Sequence, residues 1–221
     1  MAFHLIDMKT WPRREHYRYY SEKIRTSYQL NVELDVTELV RLCRKTGRRF
    51  YPAMIYAIMG AVNGTWEGSE AFRMALDPEG RLGYYDVCHP SYTIFHEDDK
   101  TFSDIWTAYD PDFERFYEAA TADMDTYKNV KGIKAKPGRP DAYTPVSCVP
   151  WIHFSGIAHD TPGPGTMYFP VITFGRYDAD GTKYLLPISL FVNHAVADGY
   201  HSSMLMREIQ DLCSGCGAWM K

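Results

Sequence analysis

The chain has 221 residues, a length that fits one large domain or at most two small ones. Hydrophobic residues make up 45% and charged residues 24%, as in an ordinary globular protein, and the net charge of −4 offers no basic field for nucleic acid. No apolar run approaches the ~18 residues of a membrane span, and the first residues lack the apolar core of a signal peptide. We therefore expect a cytoplasmic protein with neither nucleic acid nor membrane as its partner.

Four helices are predicted from the spacing of apolar residues and from signals at the helix ends. The first follows Asp35, a capping residue, and ends at Gly47. The second opens at Pro52 and is apolar almost all round, and the third starts at residues 110–111. The fourth covers residues 202–212.

Strand-like segments lie between the helices, at residues 82–85, 92–96, 146–154, 167–177 and 184–192. A turn signal at residues 178–181 predicts that the last two strands form a hairpin. Because hairpins and crossovers both occur, the order of elements predicts an α/β fold, a two-layer sandwich in which helices cover one side of a mixed β-sheet. No linker is visible, so residues 1–221 are expected to form a single domain.

One segment near the end of the chain carries most of the chemical information. His194 follows a mostly apolar strand, and Asp198 and Gly199 precede a helix, so all three lie at a strand-to-helix turn that the glycine is expected to permit. Strand alternation predicts that Asn193 and His194 point in opposite directions. Histidine is the side chain best suited to take up and return a proton near neutral pH. A core histidine and a helix cap are the simpler interpretations of each residue alone, but the combination favours a catalytic site.

Two other features have no clear chemical role. Cys213 and Cys216 have the CxxC spacing, but they close the last helix, where a redox motif is not expected, and no second ligand pair suggests a zinc site. The five cysteines are too scattered for a disulfide framework. The basic loop at residues 128–139 is interpreted first as a solvated loop, and phosphate binding stays open as an alternative.

The pattern His-x-x-x-Asp-Gly at residues 194–199 closely resembles the active-site signature of the trimeric chloramphenicol acetyltransferases, within the superfamily of CoA-dependent acyltransferases. Further motifs that resemble this family follow the same order along nearly the whole chain, at residues 11–16, 50–56, 92–96, 101–103, 147–151 and 184–187. The resemblance implies the family's fold, with the sheet extended across the interfaces of a homotrimer. It also implies acetyl transfer from acetyl-CoA, without a metal, to a hydroxyl of chloramphenicol or of another small hydroxylated acceptor.

The resemblance further implies roles for individual residues. His194 corresponds to the general base and Ser147 to the donor that stabilises the oxyanion. Asp198 corresponds to a carboxylate that pairs with Arg13 and so holds the turn. Positions that line the family's acceptor pocket correspond to Tyr20, Ile24, Phe102, Val171 and Thr173. Positions that contact CoA correspond to Arg49, Tyr51, Trp151 and Tyr177.

The chain departs from the family pattern mainly in the acceptor pocket. Asp104 replaces a small residue, and Lys134 replaces an aromatic one. Ile157 and His159 stand where larger apolar residues are usual. Polar and charged groups weaken an apolar slot unless they are paired. The acetyl-transfer chemistry is therefore predicted more firmly than the acceptor.

Three other functions compete with acetyl transfer. A serine hydrolase built from Ser147, His194 and Asp198 lacks the G-x-S-x-G elbow, and its aspartate is poorly placed to orient the histidine. A metal enzyme could use His194, Asp198 and His201, whose spacing is conceivable for ligands, but the family resemblance uses the same residues without a metal. A non-enzymatic binder is the least favoured alternative. Such a protein would have no need to keep His194, Ser147, Asp198 and Arg13 together.

Overall fold

The computed structural model describes residues 2–160 and 167–221. The helices are α1 (Arg14–Arg18), α2 (Thr37–Thr46), α3 (Phe50–Val62), α4 (Phe113–Tyr127) and α5 (Gly199–Ser214). The strands are β1 (Phe3–Leu5), β2 (Ser27–Asp35), β3 (Met74–Leu76), β4 (Leu82–Tyr85), β5 (His89–Phe95), β6 (Phe102–Trp106), β7 (Tyr143–Val149), β8 (Val171–Gly175), β9 (Asp178–Asp180) and β10 (Lys183–Asn193). Over these described ranges, no helix is both long enough and apolar enough to cross a membrane.

A large mixed sheet organises the fold. Its strand order is β2-β10-β8-β7-β5-β6, and the short strand β9 pairs with one end of β10. Strand β7 runs parallel to β5 and β8, whereas the other pairs are antiparallel. Strands β1, β4 and β3 form a small antiparallel sheet of their own. The predicted α/β class with a mixed sheet is confirmed.

The two faces of the large sheet differ because side chains alternate along each strand. Val146, Ile172 and Leu190 lie in register across β7, β8 and β10, and they are buried against the helices in the main apolar core. The neighbouring row points the other way and carries hydroxyl groups instead, on Ser147, Thr173 and Ser189. Helices α2 to α5 therefore cover one face, and the opposite face presents polar groups.

The first predicted helix is present, but its N-cap is Val36, one residue after the predicted Asp35. Helix α2 begins at Thr37, and the Asp35 carboxylate accepts a hydrogen bond from the Thr37 backbone N–H at 3.0 Å. It ends at Gly47, whose φ of 70° lies in the left-handed region that glycine adopts at little cost.

The other predicted helices start at slightly different residues. Helix α3 begins two residues before Pro52, so that the proline lies in the first turn, where its missing N–H costs no hydrogen bond. Helix α4 begins at Phe113 rather than at residues 110–111, because the Asp112 carboxylate caps it by accepting from the Arg115 N–H at 3.1 Å. Helix α5 is longer than predicted and starts directly after Asp198.

The predicted strands are present, but two of them are shorter than expected. Strand β7 ends at Val149, before Pro150, and β8 begins after Pro170. The predicted hairpin is confirmed, because β8 and β10 pair antiparallel and the chain turns at Gly181 between β9 and β10. Five strands lie outside the predicted segments, β1, β2, β3, β6 and β9, although residues 27–35 in β2 alternate between apolar and polar side chains.

Replacing Gly47 by alanine is expected to lower the free energy of unfolding by about 1 kcal/mol. The added Cβ meets no neighbour, but an alanine must keep the left-handed φ of this position, which is unfavourable for a residue with a side chain. Urea unfolding measures the change. Gly217→Ala is the control, since that glycine also has open space and its φ is not left-handed. Equal effects of the two substitutions would contradict a backbone origin.

Candidate active site

His194 lies one residue beyond the end of β10. The Asn193 side chain closes the turn by accepting from the Ala195 N–H at 2.9 Å and donating to the Met167 carbonyl at 3.2 Å. The His194 N–H donates to the Thr26 carbonyl at 2.9 Å. The strand alternation that predicts opposite directions for Asn193 and His194 therefore ends before the histidine, which is placed by the turn.

The imidazole of His194 is held on three sides. Its ring stacks on Tyr20, with ring centroids 4.0 Å apart and planes inclined by 14°, and the edge of Tyr28 lies against it at 5.2 Å. Nδ1 is 3.2 Å from the Ala197 carbonyl oxygen, which can only accept. In the neutral ring Nδ1 therefore carries the proton, and Nε2 keeps the lone pair that a base needs.

Asp198 is the capping residue of α5 and the centre of a cluster of donors. Its Oδ1 accepts from the Tyr200 N–H at 3.0 Å and pairs with His201 Nδ1 at 2.8 Å, and its Oδ2 accepts from Arg13. Burial acts to raise the pKa of Asp198, but the hydrogen bonds from His201 and Arg13 and the charge of Arg13 outweigh it and hold this pKa well below its usual range. The carboxylate stays ionised and binds the N-terminal segment to the turn.

A small apolar cluster supports the turn from below. Ala195 and Val196, directly after His194, are buried against Met74, Leu82 and Tyr168. Gly199 is the first residue of α5 and does not have a left-handed φ, and a Cβ there would meet nothing within 4 Å. The expectation that glycine is needed to form the turn is therefore wrong for the backbone of the single chain.

Ser147 lies on the polar face of the sheet, in β7. It is in register with Thr173 of β8, whose Oγ1 is buried without a hydrogen-bond partner among the described residues. The Ser147 hydroxyl likewise makes no hydrogen bond within the described ranges and is only half-buried. The Ser147 hydroxyl is thus free to donate to a bound molecule, and the buried Thr173 hydroxyl lies beside it.

One chain does not bring Ser147 and His194 together. The row of Ser147 and Thr173 meets β10 at Ser189, four residues before the strand ends at Asn193. Four residues of strand span about 13 Å, and two strand spacings add about 10 Å across the sheet. Because Asp198 lies beside His194 and away from Ser147, the serine-hydrolase triad is not assembled within the chain.

The five residues assigned to the acceptor pocket fall into two groups. Tyr20 stacks on His194, and Ile24, half exposed, follows the same π-helical turn, Tyr19–Lys23. Val171 and Thr173 lie in β8 on the side of Ser147, and Phe102 is half exposed at the start of β6. Tyr20 and Ile24 thus lie near His194, whereas the other three lie on the side of the sheet that carries Ser147.

The residues assigned to CoA lie around one apolar cavity of about 510 Å³ at the start of α3. Tyr51, Trp151 and Tyr177 line it, and Trp151 stands edge-on to Phe95 at 4.6 Å. Arg49 precedes the first lining residue, but its guanidinium reaches towards α4, with contacts of 3.4 Å to Asp125 and to the Thr121 carbonyl. The structure therefore brings three of the four together and turns the side chain of the fourth away.

Two of the unusual acceptor-pocket residues have polar partners. The His159 N–H donates to Gln29 Oε1 at 2.7 Å, and its Nδ1 faces Gln29 Nε2 at 3.0 Å. The Ile157 N–H donates to Asn31 Oδ1 at 3.1 Å. This segment thus crosses the polar face of the sheet at β2, a strand that the sequence analysis does not predict although its side chains alternate.

The other residues considered for chemistry form neither a metal site nor a reactive thiol in the described part of the chain. No cluster of three or more histidine, cysteine, aspartate or glutamate side chains suited to a metal occurs in the described part of the chain. Cys213 and Cys216 are buried free thiols, and burial raises the pKa of Cys213 to about 12, so the reactive thiolate is absent at neutral pH. His201, considered above as a metal ligand, instead pairs with Asp198, and its i+3 spacing from the capping residue is the signal for that contact.

The fold is similar to the folds of solved acetyltransferases. A chloramphenicol acetyltransferase structure matches with a TM-score of 0.83 at 20% identity, covering 96% of this chain and 100% of that one. The dihydrolipoamide acetyltransferase of Azotobacter vinelandii matches with a TM-score of 0.62 at 15% identity, covering 89% and 84%. Both likenesses concern the fold, a mixed sheet packed with helices.

Sequence comparison identifies the family to which the chain belongs. The family model described as chloramphenicol acetyltransferase matches residues 1–210. A chloramphenicol acetyltransferase of Clostridium perfringens is 39% identical over 220 residues, covering 100% of this chain and 99% of that protein. One of Vibrio anguillarum is 39% identical over 213 residues, covering 96% and 94%. The chain belongs to the chloramphenicol acetyltransferase family and is an acyltransferase.

Replacing Asp198 by asparagine is expected to lower the free energy of unfolding at pH 7. The folded pKa of Asp198 is lower than the ordinary value of 3.8, so the ionised carboxylate stabilises the fold above pH 3.8, and this stabilisation is lost as the pH falls through the folded pKa. The difference in the free energy of unfolding between the wild type and Asp198→Asn should therefore be largest at pH 7 and should shrink below about pH 4.

Urea unfolding at a series of pH values measures this difference. Asp180→Asn, on the exposed strand β9, controls for the substitution itself. A difference for Asp198→Asn that stays constant down to acid pH would contradict the assignment of the stabilisation to the ionised form.

Proposed function

We propose that the protein transfers the acetyl group of acetyl-CoA to a hydroxyl of chloramphenicol, which inactivates the antibiotic. Family membership supports the reaction. The observation that carries it is the imidazole of His194, whose Nδ1 is bound to the Ala197 carbonyl so that Nε2 is left as a base. No carboxylate is in contact with this ring within the described residues, so the turn itself orients it.

The reaction proceeds by direct attack in a ternary complex. Nε2 of His194 removes the proton of the acceptor hydroxyl while the oxygen attacks the thioester carbonyl, because an alcohol is a poor nucleophile at neutral pH. The C–O bond forms, and the carbonyl oxygen becomes an oxyanion that accepts a hydrogen bond from Ser147. The tetrahedral intermediate then expels the thiolate of CoA, which takes the proton from His194.

Acetyl-CoA fits the apolar cavity at the start of α3. Tyr51, Trp151 and Tyr177 supply aromatic faces for the adenine ring and the pantetheine chain. Arg49 suits a phosphate of CoA, because its present contacts of 3.4 Å are too long to be strong and can be exchanged. The small-molecule acceptor contacts Tyr20, Ile24, Phe102, Val171 and Thr173.

The distance between Ser147 and His194 supports a site that two subunits share. We propose a homotrimer in which His194 of one subunit faces Ser147 and the acceptor pocket of its neighbour, with the sheet extended across the interface. Each subunit is one acyltransferase domain over residues 1–221, as the family match over 1–210 supports. Its place is the cytoplasm, where acetyl-CoA is available.

The purified protein is expected to release free thiol from acetyl-CoA when chloramphenicol is added, and His194→Ala should reduce this rate by a factor of about 10² to 10⁴. A thiol reagent follows the reaction continuously. Asp180→Asn, on the exposed strand β9, serves as the control substitution. Thiol release without any acceptor would point to hydrolysis, and loss of activity on chelation would point to a metal.

A mixture of two inactive variants is expected to regain activity. If each site takes His194 from one subunit and Ser147 from the next, a mixed trimer of His194→Ala and Ser147→Ala chains holds one intact site in three. Random assembly from equal amounts then gives about a quarter of the wild-type activity per chain. Co-refolding followed by the thiol assay measures it.

Two controls define the complementation experiment. Each variant refolded alone should stay inactive, and light scattering should report a trimer in every sample. Absence of any gain in the mixed trimers would contradict a shared site and would place both groups in one subunit.

A further inference from the structure

The side chain of Asp104 lies in the same row of the sheet as Ser147. Asp104 of β6 is in register with Thr93 of β5. Tyr92 is in register with Val146, so Thr93 is the neighbour of Ser147 on β7. All three side chains therefore point to the polar face, with Asp104 two strand spacings, about 10 Å, from Ser147.

The carboxylate of Asp104 has no polar partner in the described part of the chain. It is half-buried, and burial raises its pKa, with the charge of Arg139 acting in the opposite direction. Lys134 is bound to Asp104 through the backbone, in an isolated parallel bridge, and its ammonium is exposed and makes no contact with the carboxylate. A carboxylate partly removed from water lacks the donors that normally satisfy it.

Two of the charged groups around Asp104, Arg139 and Lys136, are already engaged with other residues. Arg139 donates to Ser91 at 3.0 Å and lies over the Tyr143 ring at 3.8 Å. Lys136 pairs with Asp123 at 2.7 Å and lies over the Trp106 ring. These contacts hold both cations in place, so neither is free to turn towards the carboxylate.

A cavity of about 310 Å³ opens at this point. Asp104, Trp106, Arg139 and Tyr143 are among the residues that line it. Asp104 and its bridge partner Lys134 both border the cavity and lie in the row of Ser147, and Asp104 is the nearer of the two to Ser147. A molecule whose reacting hydroxyl lies at Ser147 can extend along the row and place its far end in front of the carboxylate.

We propose that Asp104 is a specificity-determining residue that selects acceptors with a hydrogen-bond donor, a hydroxyl or an amine, at the end remote from the acetylated hydroxyl. The inference rests on the proposed acetyl transfer and names the acceptor class. A donor satisfies the carboxylate, whereas a nitro group places partly negative oxygens against it and leaves it desolvated. An acceptor that places an aromatic amine in front of Asp104 therefore fits this pocket better than one that places a nitro group there.

A pair of acceptors that differ only at the far end tests the proposal. Chloramphenicol carries a nitro group there, and its reduced analogue carries an amine on the same ring. The wild-type protein is expected to have the higher kcat/KM for the amine. Asp104→Ala should shift the ratio of the two kcat/KM values at least about tenfold towards the nitro compound, since hydrogen bonds to charged groups are the strong ones.

Two further variants sharpen the test. Asp141 lines the same cavity but is exposed and outside the row of Ser147, so Asp141→Ala should leave the ratio unchanged. Asp104→Asn keeps the shape and removes the charge, and it should lie between wild type and Asp104→Ala. Because the folded pKa of Asp104 is raised, its contribution to stability is present below pH 3.8 and lost as the pH rises, so both variants should fold at neutral pH.

The outcomes separate this inference from the proposed function. Thiol release with an unchanged ratio in Asp104→Ala overturns the role of Asp104 and leaves acetyl transfer standing. An equal shift in Asp141→Ala also overturns it, because the effect then belongs to the general charge of the cavity. Absence of thiol release with both acceptors contradicts the proposed acetyl transfer to this class of acceptor, and the inference falls with it.

Discussion

The ion pair between Arg13 and Asp198 joins two segments that are 185 residues apart, at the point where the candidate base is held. Asp198 is at once the cap of α5, the partner of His201 and the anchor of the N-terminal segment. The pair fixes the position of the turn as well as stabilising it, since removing one partner leaves the other charge without its counter-ion. The direction of the His194 ring therefore depends on a carboxylate that it does not touch.

The large sheet serves two purposes that its alternation separates. Rows such as Val146, Ile172 and Leu190 make the core with the helices, and the adjacent row supplies hydroxyl and carboxylate groups to the opposite face. A change of register by one residue would exchange the two sets. The apolar packing that stabilises the fold thereby also fixes the spacing of Asp104, Thr93 and Ser147.

Local signals were sufficient for most helices and for the turn at His194, since caps, glycines and apolar spacing act over a few residues. The pairing of Arg13 with Asp198 followed from the family resemblance, and the structure shows the contact. Strand register is a different matter, because it depends on which strands become neighbours. The row that links Asp104 to Ser147, and the edge position of β2, are properties of that pairing and leave no mark in the local pattern.

The distance between Ser147 and His194 on one chain has a consequence for the cell. In the proposed shared site, a newly made chain holds the candidate base and the candidate oxyanion donor too far apart to act on one thioester. On this proposal, acetyl-CoA is protected from hydrolysis by unassembled chains, and the onset of chemistry depends on how often chains meet. The proposed trimer would then make activity rise more steeply than in proportion to gene dosage while the protein is scarce.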